Sequence, residues 1–132
     1  MRILRSVAAV ASGLGFMAAT VRVGVLLASA LVGPPQPSDA GLTAYLFLNL
    51  VICGAGAILG GWLAARIASF APYGHAAVMA AVVAVVSVST AMGEPAAGSP
   101  SWYPSALGLV AVFCVLLGGK LRAAASTGPV VA

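Results

Sequence analysis

Two polar side chains lie inside long apolar stretches of this 132-residue chain, and they are the residues best placed to do chemistry. Arg22 is the one charged residue of eight that lies away from the ends of such a stretch, and Asn49 is the other deep polar side chain. An ionisable group within a membrane span is costly and marks a functional site by default. Arg22 therefore has two interpretations. It forms an anion or head-group site, or it reaches the outer interface by snorkelling or pairs with Glu94 or Asp39. Asn49 forms an interhelical hydrogen bond or contacts a substrate. We take Arg22 and Asn49 as the candidate polar intramembrane site.

The remaining reactive side chains form no catalytic or metal-binding pattern. Cys53 and Cys114 fall inside apolar stretches, where thiols are usually inert packing groups. His75 is far from both in sequence, and two thiols with one distant His make no metal-ligand set. The sequence offers no carboxylate pair and no nucleophile with a base at a plausible spacing. We expect no enzymatic activity, no cofactor and no metal. The spans contain no Asp or Glu, and His75 at the start of the third span has no second titratable group for a proton relay, which disfavours proton-coupled transport.

The elements that position these side chains are predicted from composition. The chain is 62% hydrophobic and 6% charged, with a mean hydropathy of +1.14, whereas about a quarter of residues are charged in soluble domains. Four apolar stretches approach the roughly 20 residues that span a bilayer. The sequence therefore predicts an all-α membrane protein, a four-transmembrane-helix bundle arranged as two hairpins in a single transmembrane domain over residues 1–132. The predicted helices are Val7 to Val32, Leu42 to Ile67, Gly74 to Met92 and Pro104 to Leu121.

Charge placement predicts the topology. Basic residues flank one set of helix ends and the acidic residues lie at the other, and Lys and Arg collect on the cytoplasmic side of membrane helices. The chain is therefore expected to have both termini in the cytoplasm. Because the basic residues occur singly, no nucleic-acid partner is expected. The basic residues are Arg2, Arg5, Arg66, Lys120 and Arg122, and the acidic ones are Asp39 and Glu94.

The first stretch is also similar to a secretory signal peptide. Arg2 and Arg5 precede it, and the small triplet Ala28-Ser29-Ala30 near its end has the form of a cleavage site. Its apolar region is about twice the usual 7 to 15 residues and contains Arg22. We interpret it as a retained first helix. Cleavage would leave three spans with the new N-terminus outside.

Three connections separate the helices. The outer segments 33–41 and 93–103 are rich in Pro, Gly and Ser, which break helices, and the inner connection 69–74 is short enough to make helices two and three antiparallel neighbours. Trp102 and Tyr103 suit a head-group belt, and Pro104 suits a first helical turn.

Small residues at helical spacing are expected to carry the helix packing, because lipid provides no hydrophobic drive for helix association. These stripes either pack within one bundle or form an oligomer interface. In helix one, Ser12, Gly15, Ala18, Ala19 and Ser29 share the side of Arg22, which we expect to be directed inward. The predicted packing residues are Gly56, Gly60, Gly61, Ala80, Ala84, Gly118 and Gly119.

The two helical hairpins share a short internal sequence similarity. Leu59-Gly60-Gly61-Trp62-Leu63 in helix two is similar to Leu117-Gly118-Gly119-Lys120-Leu121 in helix four. These segments, together with Arg66, His75 and Trp102-Tyr103-Pro104, resemble those of small four-span bacterial membrane proteins of unknown function. The resemblance covers helices two to four. It implies a similar bundle in a bacterial cytoplasmic membrane and transfers neither an activity nor a site.

Two functional hypotheses follow. The first is a non-catalytic accessory or scaffolding subunit, whose partners are the lipid bilayer and other membrane subunits, or a second copy of itself. The alternative is a small homo-oligomeric channel or anion-handling transporter in which Arg22 lines an aqueous path.

Overall fold

The chain is built from four apolar α-helices. The computed structural model describes residues 2–32, 39–68, 71–93 and 100–126, and the side chains of these residues except at positions 2, 32, 39 and 40. Each helix within these ranges is long and apolar enough to cross a membrane. The predicted number and order of helices are therefore confirmed for the described part of the chain, which is an all-helical, multi-pass membrane protein. The helices are α1 (Arg2–Val32), α2 (Asp39–Ile67), α3 (Pro72–Ala91) and α4 (Tyr103–Ser126).

Several helices extend beyond their predicted apolar stretches. Helix α1 begins at Arg2 rather than Val7, and α4 ends at Ser126 rather than Leu121. Hydropathy marks the part of a helix that suits hydrocarbon, whereas backbone hydrogen bonding continues into the head-group region. The 31 residues of α1 span about 46 Å at a rise of 1.5 Å per residue. Helix α1 is therefore longer than a hydrocarbon core of about 30 Å requires.

The boundaries of two connections also differ from prediction. Helix α2 begins at Asp39, inside the expected outer loop 33–41. Helix α3 begins at Pro72, inside the expected inner connection 69–74, and proline suits this position because its fixed φ is already helical. Ala71, just before it, adopts a left-handed conformation with φ 47°. The connections are therefore shorter than predicted.

Specific contacts define the relative directions of the helices. Asn49 contacts Tyr103 and Gly61 contacts Val115, so later residues of α2 meet later residues of α4 and the two helices are parallel. Pairs of opposite order, such as Gly24 with Ile52 and Gly108 with Ser87, make α1 antiparallel to α2 and α3 antiparallel to α4. As a result, the start of α1, the end of α2, the start of α3 and the end of α4 lie together. This end carries Arg5, Arg66, Lys120 and Arg122, and we call it the basic end.

The echoed glycine pairs of α2 and α4 each serve two helix interfaces. A Cβ built on Gly60 would lie 2.8 Å from the Gly13 carbonyl oxygen of α1, whereas one on the adjacent Gly61 would collide with the backbone of Val115 in α4. Gly118 meets the backbone of α2 at Ile58 in the same way, and Gly119 meets Ala76 of α3. The absence of side chains at these four positions lets the backbones approach closely, as is typical of membrane helix packing.

Small side chains dominate the interior. The alanines of the core at positions 9, 57, 64, 65, 68 and 76 are at most 1% exposed, and Met79 and Val115 are the largest side chains that are fully buried. Large apolar side chains such as Val85 and Phe113 point outward instead. This distribution suits a protein whose surroundings are apolar, where packing rather than hydrophobic burial holds the helices together.

Candidate functional site: a cavity between α1 and α3

Helices α1 and α3 meet near the basic end. The Nε2 atom of His75 lies 3.0 Å from Ser6 Oγ, and the Met79 sulfur lies against Gly13. His75 Nδ1 lies 3.1 Å from the carbonyl oxygen of Ala71, so Nδ1 carries the hydrogen in this contact. In the neutral imidazole, Nε2 then accepts a hydrogen bond from the Ser6 hydroxyl. These contacts close the space between α1 and α3 at this end.

Away from the basic end, an open cavity of about 760 Å³ lies between α1 and α3, and we call it the α1–α3 cavity. All four helices contribute to its wall. The lining residues are Leu14, Met17, Ala18, Val21, Arg22 and Val25 of α1, Asn49 and Cys53 of α2, Val82, Val83, Val86, Ser87 and Thr90 of α3, and Tyr103, Pro104, Leu107, Gly108 and Ala111 of α4.

The polar groups of the cavity lie toward the end opposite the basic end. Asn49 Nδ2 donates a hydrogen bond to Tyr103 Oη, which ties α2 to the first residue of α4. Thr90 lies in the last turn of α3 and donates its hydroxyl hydrogen to the Val86 carbonyl oxygen at 2.9 Å. Arg22 is exposed and lines the wall contributed by α1. The wall of the cavity thus contains a cation, an amide and hydroxyl groups.

The deeper part of the cavity is apolar. Leu14, Met17 and Leu107 line it and pack against the buried core, which includes Val83 and Ala111. Leu14 precedes Arg22 by eight residues, or about 12 Å along the helix axis. The cavity is thus amphipathic along its length, with polar groups toward one end and apolar side chains toward the other.

The cavity brings together the two residues of the predicted polar intramembrane site, Arg22 and Asn49. Asn49 makes the interhelical hydrogen bond that was one of its two interpretations. Of the acidic residues considered as partners of Arg22, Glu94 lies outside the described residues, and so does the side chain of Asp39.

Most of the predicted packing residues contact other helices within the chain. Gly56 lies against Met17 and Val21 of α1, Ala80 belongs to the buried core, and Ala84 is half-buried. Together with the two glycine pairs, they place the small faces of α2, α3 and α4 inside the bundle.

The side of helix α1 that packs inward differs from the predicted side. It packs inward through Ala9, Gly13, Gly24 and Ala28, and not through the stripe that the sequence grouped with Arg22. Helix α1 carries small residues on two sides, so their spacing alone could not identify the packed side. The opposite side remains exposed, and we call Ala8, Ser12, Gly15 and Ala19 the outer α1 face. A Cβ built on Gly15 would have no other described residue within 4 Å, apart from its chain neighbours and its own helix backbone.

Tyr103 is the site residue that sequence reasoning missed. The pair Trp102-Tyr103 predicts a head-group belt, and Trp102 is indeed 51% exposed, but Tyr103 is 8% exposed and bonded to Asn49. The two rings form an edge-to-face contact with centroids 5.9 Å apart. The contact of Tyr103 with Asn49 depends on the parallel register of α2 and α4, which the sequence pattern does not reveal.

The thiols do not form a bridge. Cys53 is buried beside the cavity and Cys114 is half-buried, and both are free. Within the described residues, no three His, Cys, Asp or Glu side chains come together as metal ligands would.

The chain matches no protein-family model, no curated protein and no solved structure. The four apolar helices define its class as a multi-pass helical membrane protein.

Proposed function

We propose that this protein is a non-catalytic accessory or scaffolding subunit that packs against a transmembrane helix of a larger membrane complex. The outer α1 face carries the proposal. Its four small residues are exposed, whereas the small residues of α2, α3 and α4 are largely used in packing within the chain.

The physical reason lies in how membrane helices associate. Small residues give little contact area to lipid, but they let a second helix approach closely enough for backbone contacts. On the outer α1 face they recur at intervals of four, three and four residues, which forms a continuous stripe along a helix. Elsewhere on the exterior, large side chains such as Leu26, Val85 and Phe113 are exposed, as suits a surface in contact with lipid.

We further propose that the protein resides in a bacterial cytoplasmic membrane with both termini in the cytoplasm. The support is the basic end, where Arg5, Arg66, Lys120 and Arg122 lie together. Positive charge near membrane spans is retained on the cytoplasmic side.

Purification from the native host in a mild detergent tests the accessory function. The expected result is co-purification with larger membrane subunits, identified by mass spectrometry. Gly15→Leu should abolish this association without unfolding the chain, because nothing opposes a side chain at this position. Ala81→Leu is the matched control, since it adds comparable bulk at an exposed position of α3. A protein that purifies alone, or equal retention of the partner by both variants, would contradict the proposal.

A second candidate is anion handling by Arg22, and the α1–α3 cavity favours it. Because Ser6, His75, Gly13 and Met79 close the space between α1 and α3 near the basic end, the cavity of one chain has the form of a binding pocket. This favours binding of an anionic ligand over conduction through a single chain.

A further inference from the structure

We propose that the α1–α3 cavity binds one anionic membrane lipid, with its head group at Arg22 and its acyl chains directed toward Leu14 and Ala111. The proposal develops the anion-handling candidate and is independent of the packing of α1 against a partner.

The first support is the size and lining of the cavity. Its volume of about 760 Å³ falls within the range of roughly 300 to 1,000 Å³ that is usual for ligand pockets. Such pockets are mainly apolar and contain a few polar groups that orient the ligand. Here the polar groups gather toward one end, so the lining matches a ligand with one polar end and an apolar body.

The second support is charge. Among the residues that the structure describes, Arg22 is the one cation that lines the cavity, and no Asp or Glu lines it. A guanidinium binds phosphate oxygens with two parallel N–H donors. An anionic head group therefore complements the cavity better than a zwitterionic or cationic one.

The third support is the supply of further donors. Asn49 uses one of its two amide hydrogens in the bond to Tyr103, which leaves the other for a ligand. Tyr103 accepts that bond through its oxygen, so its own hydroxyl hydrogen remains able to donate. The Asn49–Tyr103 pair, which lines the same cavity as Arg22, can thus donate hydrogen bonds to a head-group oxygen.

The fourth support is access. The cavity lies between α1 and α3, which are held together near the basic end and separate away from it. A lipid can enter sideways from the bilayer, with its chains already in hydrocarbon. A lipid head group and a free anion both pay a desolvation cost at this position, but the lipid is already concentrated in the membrane, whereas a free anion has to enter from water.

Lipid titration of the purified full-length chain tests the proposal, with native mass spectrometry as the readout. Phosphatidylglycerol and phosphatidylcholine with identical acyl chains are added separately. We expect one phosphatidylglycerol to be retained per chain, with about tenfold weaker retention of phosphatidylcholine, because the choline cation repels Arg22 and offsets the charge of the phosphate that both lipids carry. Equal retention of the two lipids would overturn the proposal.

Four variants locate the bound lipid. Arg22→Gln should weaken phosphatidylglycerol about tenfold, to the level of phosphatidylcholine, whereas Arg22→Lys should keep most of the preference because it keeps the charge. Ala18→Phe should remove both lipids by filling the cavity, and the adjacent Ala19→Phe should change neither because it lies on the outer α1 face. Unchanged binding in Ala18→Phe would overturn the proposal.

Two further results separate this lipid from other occupants. Inorganic phosphate at millimolar concentration should leave phosphatidylglycerol bound, and its displacement would assign a free-anion site and overturn the proposal. A photoreactive residue at position 18 that crosslinks to a protein helix in native membranes, in place of lipid, would also overturn it. Gly15→Leu should leave lipid binding unchanged, so failure of the lipid site and failure of the accessory function give different results.

Discussion

Asn49 of α2 donates a hydrogen bond from its side-chain amide to the hydroxyl of Tyr103, the first residue of α4. The bond joins the two parallel central helices at the polar end of the α1–α3 cavity. It also explains how Asn49 is accommodated within an apolar helix, since its amide group has a partner from another helix. The same bond holds in place the two donors that the proposed lipid site uses.

Tyr103→Phe removes this bond without changing the shape of the ring. We expect a loss of about 0.6 kcal/mol in the free energy of unfolding, the average for interhelical hydrogen bonds in membranes. Reversible unfolding of the detergent-solubilised protein in sodium dodecyl sulfate measures it. Tyr73→Phe is the control, because Tyr73 is 49% exposed. Similar losses in both variants would show that the Asn49 bond does not stabilise the bundle.

The close contact between α2 and α4 predicts that an alanine substitution destabilises the protein at Gly61 but not at Gly15. Gly61→Ala places a methyl group against the backbone of Val115, so the helices must separate, and we expect destabilisation of about 1 to 3 kcal/mol, as for other overpacked interiors. Gly15→Ala should leave stability unchanged or slightly raised, because the new methyl group meets no neighbour and alanine favours the helix. Thermal unfolding of both variants in detergent checks this. Equal melting temperatures would contradict the packing described for α2 and α4.

Part of this packing could be predicted from the sequence. The number of helices, their order and the importance of Gly60, Gly61, Gly118 and Gly119 follow from apolar length and small-residue spacing. The packed side of α1 could not be predicted in this way, because small residues lie on both sides of this helix. Tyr103 was missed because its contact depends on the register between α2 and α4, which no local pattern encodes. The cavity itself arises from the separation of α1 and α3, a relationship between helices distant in sequence.

The separation of α1 and α3 predicts a gradient of cross-linking along the two helices. In a background with Cys53→Ala and Cys114→Ala, the pair Ser6→Cys with His75→Cys should react with a short bifunctional thiol reagent, because the native side chains are in contact. The pair Ala18→Cys with Val86→Cys spans the cavity and should require a longer reagent. Efficient reaction of both pairs with the short reagent would mean that the cavity is closed in the membrane.

The basic end predicts the topology. Because Lys and Arg favour the cytoplasmic side, a green fluorescent protein fused after Ala132 should be fluorescent and an alkaline phosphatase at the same point should be inactive. Phosphatase inserted after Gly93, at the opposite end of the bundle, should be active. The reverse pattern would place the basic end outside and contradict the proposed orientation.

Site-specific photocrosslinking in native membranes tests the accessory function most directly. A photoreactive amino acid at Ser12 on the outer α1 face should form an adduct with a larger membrane polypeptide, whereas the same group at Val85 of α3, which is 67% exposed, should react only with lipid. Gly15→Leu in the same chain should abolish the Ser12 adduct. Reaction of Ser12 with lipid alone, or only with a second copy of this chain, would contradict the proposal that α1 packs against a larger complex.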